Sequence, residues 1–254
     1  MHPELFHIDF LGLHQTIYTY GFLIAVGTLV ASLYTKWRAK KELGIVELSN
    51  NFFYLIFIAG FIGGKLFFYL ENPSKYLNNP KLLLDNFSGG FVFYGSFITI
   101  IPVLIWYLKK HKIPVLQMLD ILAITTLIVH GIGRLGCFFG GCCYGKPTNA
   151  FTGIAFPKTH GTKVHPSQLY EITALLIIMA ILLYIKKKQQ FKGQLFLLYI
   201  VFYAIARSIL ELFRGDKRGF IIDNYLSHSQ FIGMIFILIV LFLYQKIKNK
   251  KFTL

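Results

Sequence analysis

The chain has 254 residues, of which 55% are apolar, 17% aromatic and only 15% charged, against roughly 25% charged in globular domains. Lys and Arg number 26 and Asp and Glu 11, a formal net charge of +15, and the mean hydropathy is +0.58. This mixture excludes a soluble enzyme and a disordered chain. The basic residues fall in short clusters between long apolar runs and form no polar stripe, which excludes a nucleic-acid binder as well.

In chain order, seven apolar stretches reach or approach the roughly 20 residues needed to cross a bilayer core of about 30 Å. They cover about 17–34, 52–69, 90–108, 118–138, 167–185, 194–213 and 230–244. The expected fold is all-α: a polytopic membrane protein of seven transmembrane helices, forming a single integral membrane domain over 1–254. Residues 1–16 hold no Lys or Arg and no A-x-A site follows the first run, so it does not read as a secretory leader. No long linker, low-complexity tract or strong internal repeat is evident, which argues against a transporter built from duplicated halves. Segments 36–51, 109–117, 186–193 and the tail from Lys246 carry 15 Lys/Arg, and the alternate segments carry 8. The positive-inside rule then puts the N-terminus outside, the C-terminus in the cytoplasm and 140–166 in an outward-facing loop region.

Lys65, Arg134 and Arg207 remain inside the spans, where a cation costs about 2.5–3.5 kcal/mol on insertion scales. Glu211 follows Arg207 by one helical turn, so the two can pair. Two readings stay open. In one, Arg207–Glu211 is a neutralised pair holding helices together and Arg134 and Lys65 snorkel. In the other, the guanidinium forks form a pocket for an anionic lipid headgroup, with Lys65 as a further phosphate contact. Gly60/Gly64, Gly136/Gly140 and Gly141/Gly145 are spaced for close helix approach. The run from Gly136 to Gly145 holds four glycines in ten residues and is expected to break into a loop at the outer interface.

The chain resembles the bacterial phosphatidylglycerol–prolipoprotein diacylglyceryl transferase family over nearly its whole length. The most specific pieces are Gly133-Arg134-Leu135-Gly136, set in the family's G-R-[IL]-G-N-F signature, and His165-Pro166-Ser167-Gln168-Leu169-Tyr170-Glu171, matching H-P-[ST]-Q-L-Y-E. Tyr20-Gly21, Gly63-Gly64-Lys65, Gly89-Gly90, Asp120 and Arg207-x-x-x-Glu211-x-x-Arg214 support them. The resemblance implies transfer of a diacylglyceryl group from phosphatidylglycerol to the lipobox cysteine of a prolipoprotein. The setting it implies is the bacterial inner membrane, multi-pass, with the active site near the outer leaflet. It implies no cofactor and no metal. By position, Arg134 and Arg207 match two functionally important arginines, Glu211 the acidic partner of the second, and Tyr20 and Tyr203 pocket tyrosines; Lys65 and Gly145 complete the implied substrate-binding set.

Three positions depart from the family pattern. Phe93-Tyr94-Gly95-Ser96 stands where F-H-G-G is usual, Cys137 replaces the usual Asn, and Cys142 the usual Glu. The implied chemistry is displacement at a glyceryl carbon by a thiolate, with glycerol phosphate leaving. An ordinary thiol has a pKa near 8.5 and needs a proton acceptor. Tyr94 is a weak candidate at about 10. His130, one turn before Arg134, is the stronger one, unless it is a hydrogen-bonded core histidine. His165 is expected to order the outer loop at Pro166, or to cap the following helix, and not to perform catalysis. Cys137, Cys142 and Cys143 allow three readings: small pocket residues, a disulfide from Cys137 to Cys142 or Cys143, or zinc ligands together with His130. The alternative to the transferase is a non-catalytic lipid- or protein-binding member with altered pocket residues.

Overall fold

Lipid offers backbone amides no hydrogen bonds, so long apolar runs close their own by forming helices. The computed structural model describes residues 3–10, 13–71, 73–85, 92–215, 220–222 and 226–252. An antiparallel hairpin of β1 (Glu4–Phe10) and β2 (Leu13–Tyr18) leads directly into α1 (Thr19–Leu43). Then come α2 (Asn50–Leu70), the short α3 (Pro73–Asn78) and α4 (Lys81–Asp85), α5 (Phe93–Lys110) and α6 (Val115–Phe139). A small hairpin of β3 (Ile154–Ala155) and β4 (Lys163–Val164) precedes α7 (Ser167–Lys186) and α8 (Gln194–Glu211). A last hairpin, β5 (Phe220–Ile222) and β6 (Leu226–Ser227), leads into α9 (His228–Phe252).

A long helix thus stands at each of the seven apolar stretches, and α2, α6, α7 and α8 are long and apolar enough to cross a membrane. The strictly all-α expectation is corrected to a mostly helical chain with short two-stranded sheets. The strands β3 to β6, of two or three residues each, are too short to leave a period-two pattern, whereas β1, of seven residues, alternates over Phe6-His7-Ile8-Asp9-Phe10. The first helix also outruns its apolar stretch, because Arg38 and Glu42 pair one turn apart in its basic end. Many large apolar side chains face outward, among them Tyr54, Phe57 and Ile62 on α2 and Leu238, Leu241 and Phe242 on α9. Such surface is a liability in water and the expected covering in lipid. This is a membrane protein.

The chain divides into two compact units, one of Met1–Trp37 with Leu119–Leu254, the other of Arg38–Met118. In the second unit α2 packs on α5 at a glycine contact. A Cβ on Gly63 would strike Thr99, and one on Gly95 would lie 2.5 Å from the Gly63 carbonyl oxygen. Hydroxyls seal the crossing: Ser96 Oγ donates to the Gly60 carbonyl at 2.7 Å and Thr99 Oγ1 to that of Ala59 at 2.8 Å. In the first unit Ile124 and Leu127 of α6, Leu175, Ile178 and Leu182 of α7 and Leu195 of α8 form the core. The Thr35 and Thr125 hydroxyls join α1 to α6 at 2.7 Å. This core holds α6, α7 and α8 side by side, so polar residues one or two turns toward their Gly-rich-loop end meet.

Candidate functional site

Glu171 lies one turn into α7, and its side chain is 2% exposed. A carboxylate buried so deeply needs charge partners and hydrogen bonds. Arg134 of α6 reaches it with Nε at 2.9 Å from Oε2, and His130, one turn earlier, with Nε2 at 3.1 Å from Oε1. Tyr203 of α8 donates its hydroxyl to Oε1 at 3.2 Å. Arg214, beyond α8 and also buried, sets Nη1 at 3.9 Å from Oε2. Arg134 Nε is also 3.4 Å from His130 Nε2. Only one of the contacts at Nε2 is a hydrogen bond donated by the ring, and the shorter one to the carboxylate wins. Nε2–H therefore points to Glu171, and Nδ1 is the ring nitrogen available to exchange a proton. The Tyr203 ring packs edge-on against His130, with centroids 5.4 Å apart, and lies roughly parallel to Tyr199.

Arg207 and Glu211 pair on α8 at 2.5 Å, as their spacing predicts, and Arg207 adds to the positive field at Glu171. Three guanidiniums, Arg134, Arg207 and Arg214, thus face two carboxylates, Glu171 and Glu211. The excess is positive even with His130 neutral, and it sits among apolar helices where a phosphate would be strongly attracted.

At the end of α6 the helix continues through Gly136 and breaks after Phe139, where Gly141 takes φ +63° and Cys143 φ +64°. A left-handed backbone at a non-glycine residue costs about 1–3 kcal/mol and persists only when its surroundings enforce it. Here the His-Pro-Ser-Gln segment does so: Gln168 Nε2 donates to the Cys142 carbonyl at 2.6 Å and Ser167 Oγ to that of Cys143 at 2.7 Å. Gly145 closes the loop, its N–H donating to the His165 carbonyl at 2.8 Å and its backbone bridging to Arg214. A Cβ there would strike the Phe213 carbonyl. His165 orders this loop as expected, bonding the Tyr170 hydroxyl at 3.2 Å and packing on Phe213.

All three cysteines are free thiols, so neither disulfide pairing is formed, and their sulfurs lie within 4.8 Å of one another. The Cys143 thiol is pulled below the ordinary range, first by its hydrogen bonding with Cys137 and Cys142 and then by the Arg134 and Arg214 charges. Cys142 moves up: a hydrogen bond from Cys137 lowers it, but its bond to Cys143 and burial outweigh that. The reading that groups His130 with these sulfurs is corrected, because the ligand atoms that gather within 4.8 Å of one another are the three sulfurs and do not include a His130 nitrogen.

The structure therefore gathers Arg134, His130 and Tyr203 around Glu171, with Arg207–Glu211 beside them. Tyr20, early in α1, packs against Gly136 and is close enough to interact electrostatically with the cysteines and Arg134. Lys65 and Tyr94 belong to the other unit. Lys65 is buried in α2, its Nζ 5.5 Å from the centre of the Phe68 ring; the Tyr94 side chain lies outside the described residues. Sequence reasoning missed Glu171 and Arg214 as site residues. A lone acid in an apolar helix was the available signal for the first.

Fold and site together define an integral-membrane helical protein with a buried, cation-rich polar cluster at one end of its helices. The family model for prolipoprotein diacylglyceryl transferase matches residues 4–245. Among curated relatives, the phosphatidylglycerol–prolipoprotein diacylglyceryl transferase of Clostridium tetani is 36% identical over 96% of this chain and 97% of its own. The enzyme numbered 2 of Clostridium perfringens is 32% identical (93% and 94%), and that of Rickettsia bellii 34% (92% of each). The chain belongs to the prolipoprotein diacylglyceryl transferase family.

Proposed function

We propose that this protein transfers the diacylglyceryl group of phosphatidylglycerol to the lipobox cysteine thiol of prolipoproteins, releasing glycerol phosphate. The observation that carries the reading is the surplus of guanidinium charge around Glu171 and Glu211. Arg134 and Arg207 hold the lipid phosphate and stabilise charge on it as it leaves. His130 takes the acceptor proton on Nδ1, while Glu171 holds Nε2–H and so fixes the tautomer, as a carboxylate does for catalytic histidines elsewhere. Tyr20, Tyr203 and Gly145 shape the headgroup site, Glu211 orients Arg207, and Lys65 and Tyr94 are assigned to lipid contact and a minor catalytic role.

The test is purified protein with labelled phosphatidylglycerol and a lipobox peptide. The expected result is a peptide heavier by one diacylglyceryl group, absent when the peptide cysteine is serine. Unchanged peptide from folded protein would overturn the reading.

The protein further reads as one seven-span domain of the bacterial inner membrane, with 140–166 and the site toward the outer leaflet. The 15-to-8 division of Lys and Arg supports this orientation. Reporters fused to the two ends should respond from opposite sides, the C-terminal one from the cytoplasm; a periplasmic C-terminal signal would mean a miscounted span.

A further inference from the structure

The loop after α6 does more than end a helix. Adjacent residues in extended chain point their side chains apart, yet the left-handed backbone at Cys143 brings its Sγ to 3.7 Å from that of Cys142. Cys137, two residues before the end of α6, supplies the third sulfur, and the Cys142 N–H is tied to the Cys137 carbonyl at 3.1 Å. Sulfurs bound about 2.3 Å from a tetrahedral zinc are about 3.8 Å apart. The three here, all within 4.8 Å, need only small movements to meet that spacing. The turn is fixed from outside by Gln168 and Ser167, so the constellation exists before any ligand arrives. Three thiolates around a divalent ion leave a net negative charge. The Arg134 and Arg214 guanidiniums act on Cys143, and the Lys158 ammonium acts on Cys142. They oppose that charge.

We propose that the Sγ atoms of Cys137, Cys142 and Cys143 bind a zinc ion, whose fourth coordination position takes the acceptor thiol. The second half of this statement rests on the transfer reading above. Three protein ligands with one open position is the arrangement of catalytic zinc, and a coordinated thiol is deprotonated outright. The acceptor thiol gives its proton to His130 Nδ1 and binds as thiolate. Its sulfur attacks the glyceryl carbon, the S–C bond forms as the C–O bond to phosphate breaks, and glycerol phosphate leaves with the electron pair. The product thioether carries no charge and is a weaker ligand, so it is released.

The experiment uses the purified full-length protein loaded with Co2+ as a spectroscopic probe for zinc. Wild type should bind one cobalt per chain with sulfur-to-cobalt charge-transfer absorption. Cys143→Ser, at an exposed position and checked for folding by its melting temperature, should weaken binding by about tenfold or more. Cys137→Ala, at a buried position, is read only if it remains folded by its melting temperature. Adding a lipobox peptide should change the cobalt spectrum, and the same peptide with serine for cysteine should not. Absence of the charge-transfer band, or its persistence in Cys143→Ser, would overturn the metal site. A spectrum indifferent to the peptide thiol, or full transfer by protein shown to be metal-free, would overturn the open position. Transfer measured on the same preparations keeps these outcomes separate from failure of the transfer reading itself.

Discussion

Glu171 and Asp120 are both buried carboxylates in the same unit, yet their neighbours differ in kind. Among the described residues Asp120 accepts from neutral donors, including Gln189 Nε2 at 2.6 Å, the Gly193 N–H at 2.7 Å and the Phe196 N–H at 3.1 Å. The last two belong to the start of α8, so Asp120 is a helix cap supplied from another helix, where its charge also suits the helix dipole. Glu171 instead faces Arg134, Arg214, His130 and one tyrosine hydroxyl. A carboxylate satisfied by amides is finished as a structure. One placed among more cations than it can neutralise leaves positive charge for something else. The comparison teaches that burial of an acid marks a site only when its partners carry surplus charge.

The sharpest way to break this contrast is to remove the surplus. Arg134→Ala and Arg207→Ala should each lower transfer by about 10²–10³-fold or more, the scale of losing one transition-state charge contact, while the amount of inserted protein stays normal. Arg207→Lys should fall nearly as far, because one ammonium cannot replace a bidentate fork. Near-normal turnover in these variants would return the arginines to helix pairing.

His130→Gln should reduce single-turnover transfer by about 10²-fold, the lower end of general-base contributions, and leave phosphatidylglycerol binding largely intact. Tyr94→Phe should cost much less, since it deletes one hydroxyl and spares the histidine. The reverse order would move the proton-accepting role to the tyrosine.

Exchanging the two acids tests the comparison directly. Asp120→Asn presents an amide group to N–H donors and should lower stability by about 1–3 kcal/mol, with transfer per folded molecule little changed. Glu171→Gln should instead depress transfer per folded molecule, by releasing Arg134 and His130 from their positions. Thermal melts and specific activity on the same samples separate the two. The smallest effect concerns the thiols: in chelator-washed protein Cys143, exposed and with its pKa lowered, should be alkylated before the buried Cys137. Its labelling should rise at a pH below the ordinary thiol value of about 8.5, since the thiolate is the reacting form. Labelling of Cys137 first would contradict the charge field described for this loop.

Much of the chain was legible from the sequence because the signals are local. Long apolar runs dictate helices once backbone groups must pair internally, and a helix stands at all seven stretches. The Arg207–Glu211 pair follows from one helical turn, and the glycine cluster announced the break after Phe139. The hairpin before α9, with strands of three and two residues, gave no comparable signal, and the one before α1 offered only the alternation of Phe6-His7-Ile8-Asp9-Phe10. Their few alternating residues are held by cross-strand pairing.

What only the tertiary structure decided is which distant groups meet. Arg134 and Glu171 are 37 positions apart and Asp120 and Gly193 73, separations that no periodicity connects. The core of Ile124, Leu175 and Leu195 sets α6, α7 and α8 in register, and that register makes Glu171 the shared partner of Arg134 and His130. Likewise the sequence places three cysteines within seven residues, but spacing alone does not say where their sulfurs point. The left-handed turn at Cys143, held by Gln168 and Ser167 from the next helix, brings them to one point. Composition and local period fix elements because a helix needs only its own backbone; a site needs side chains from several elements, and packing alone chooses those.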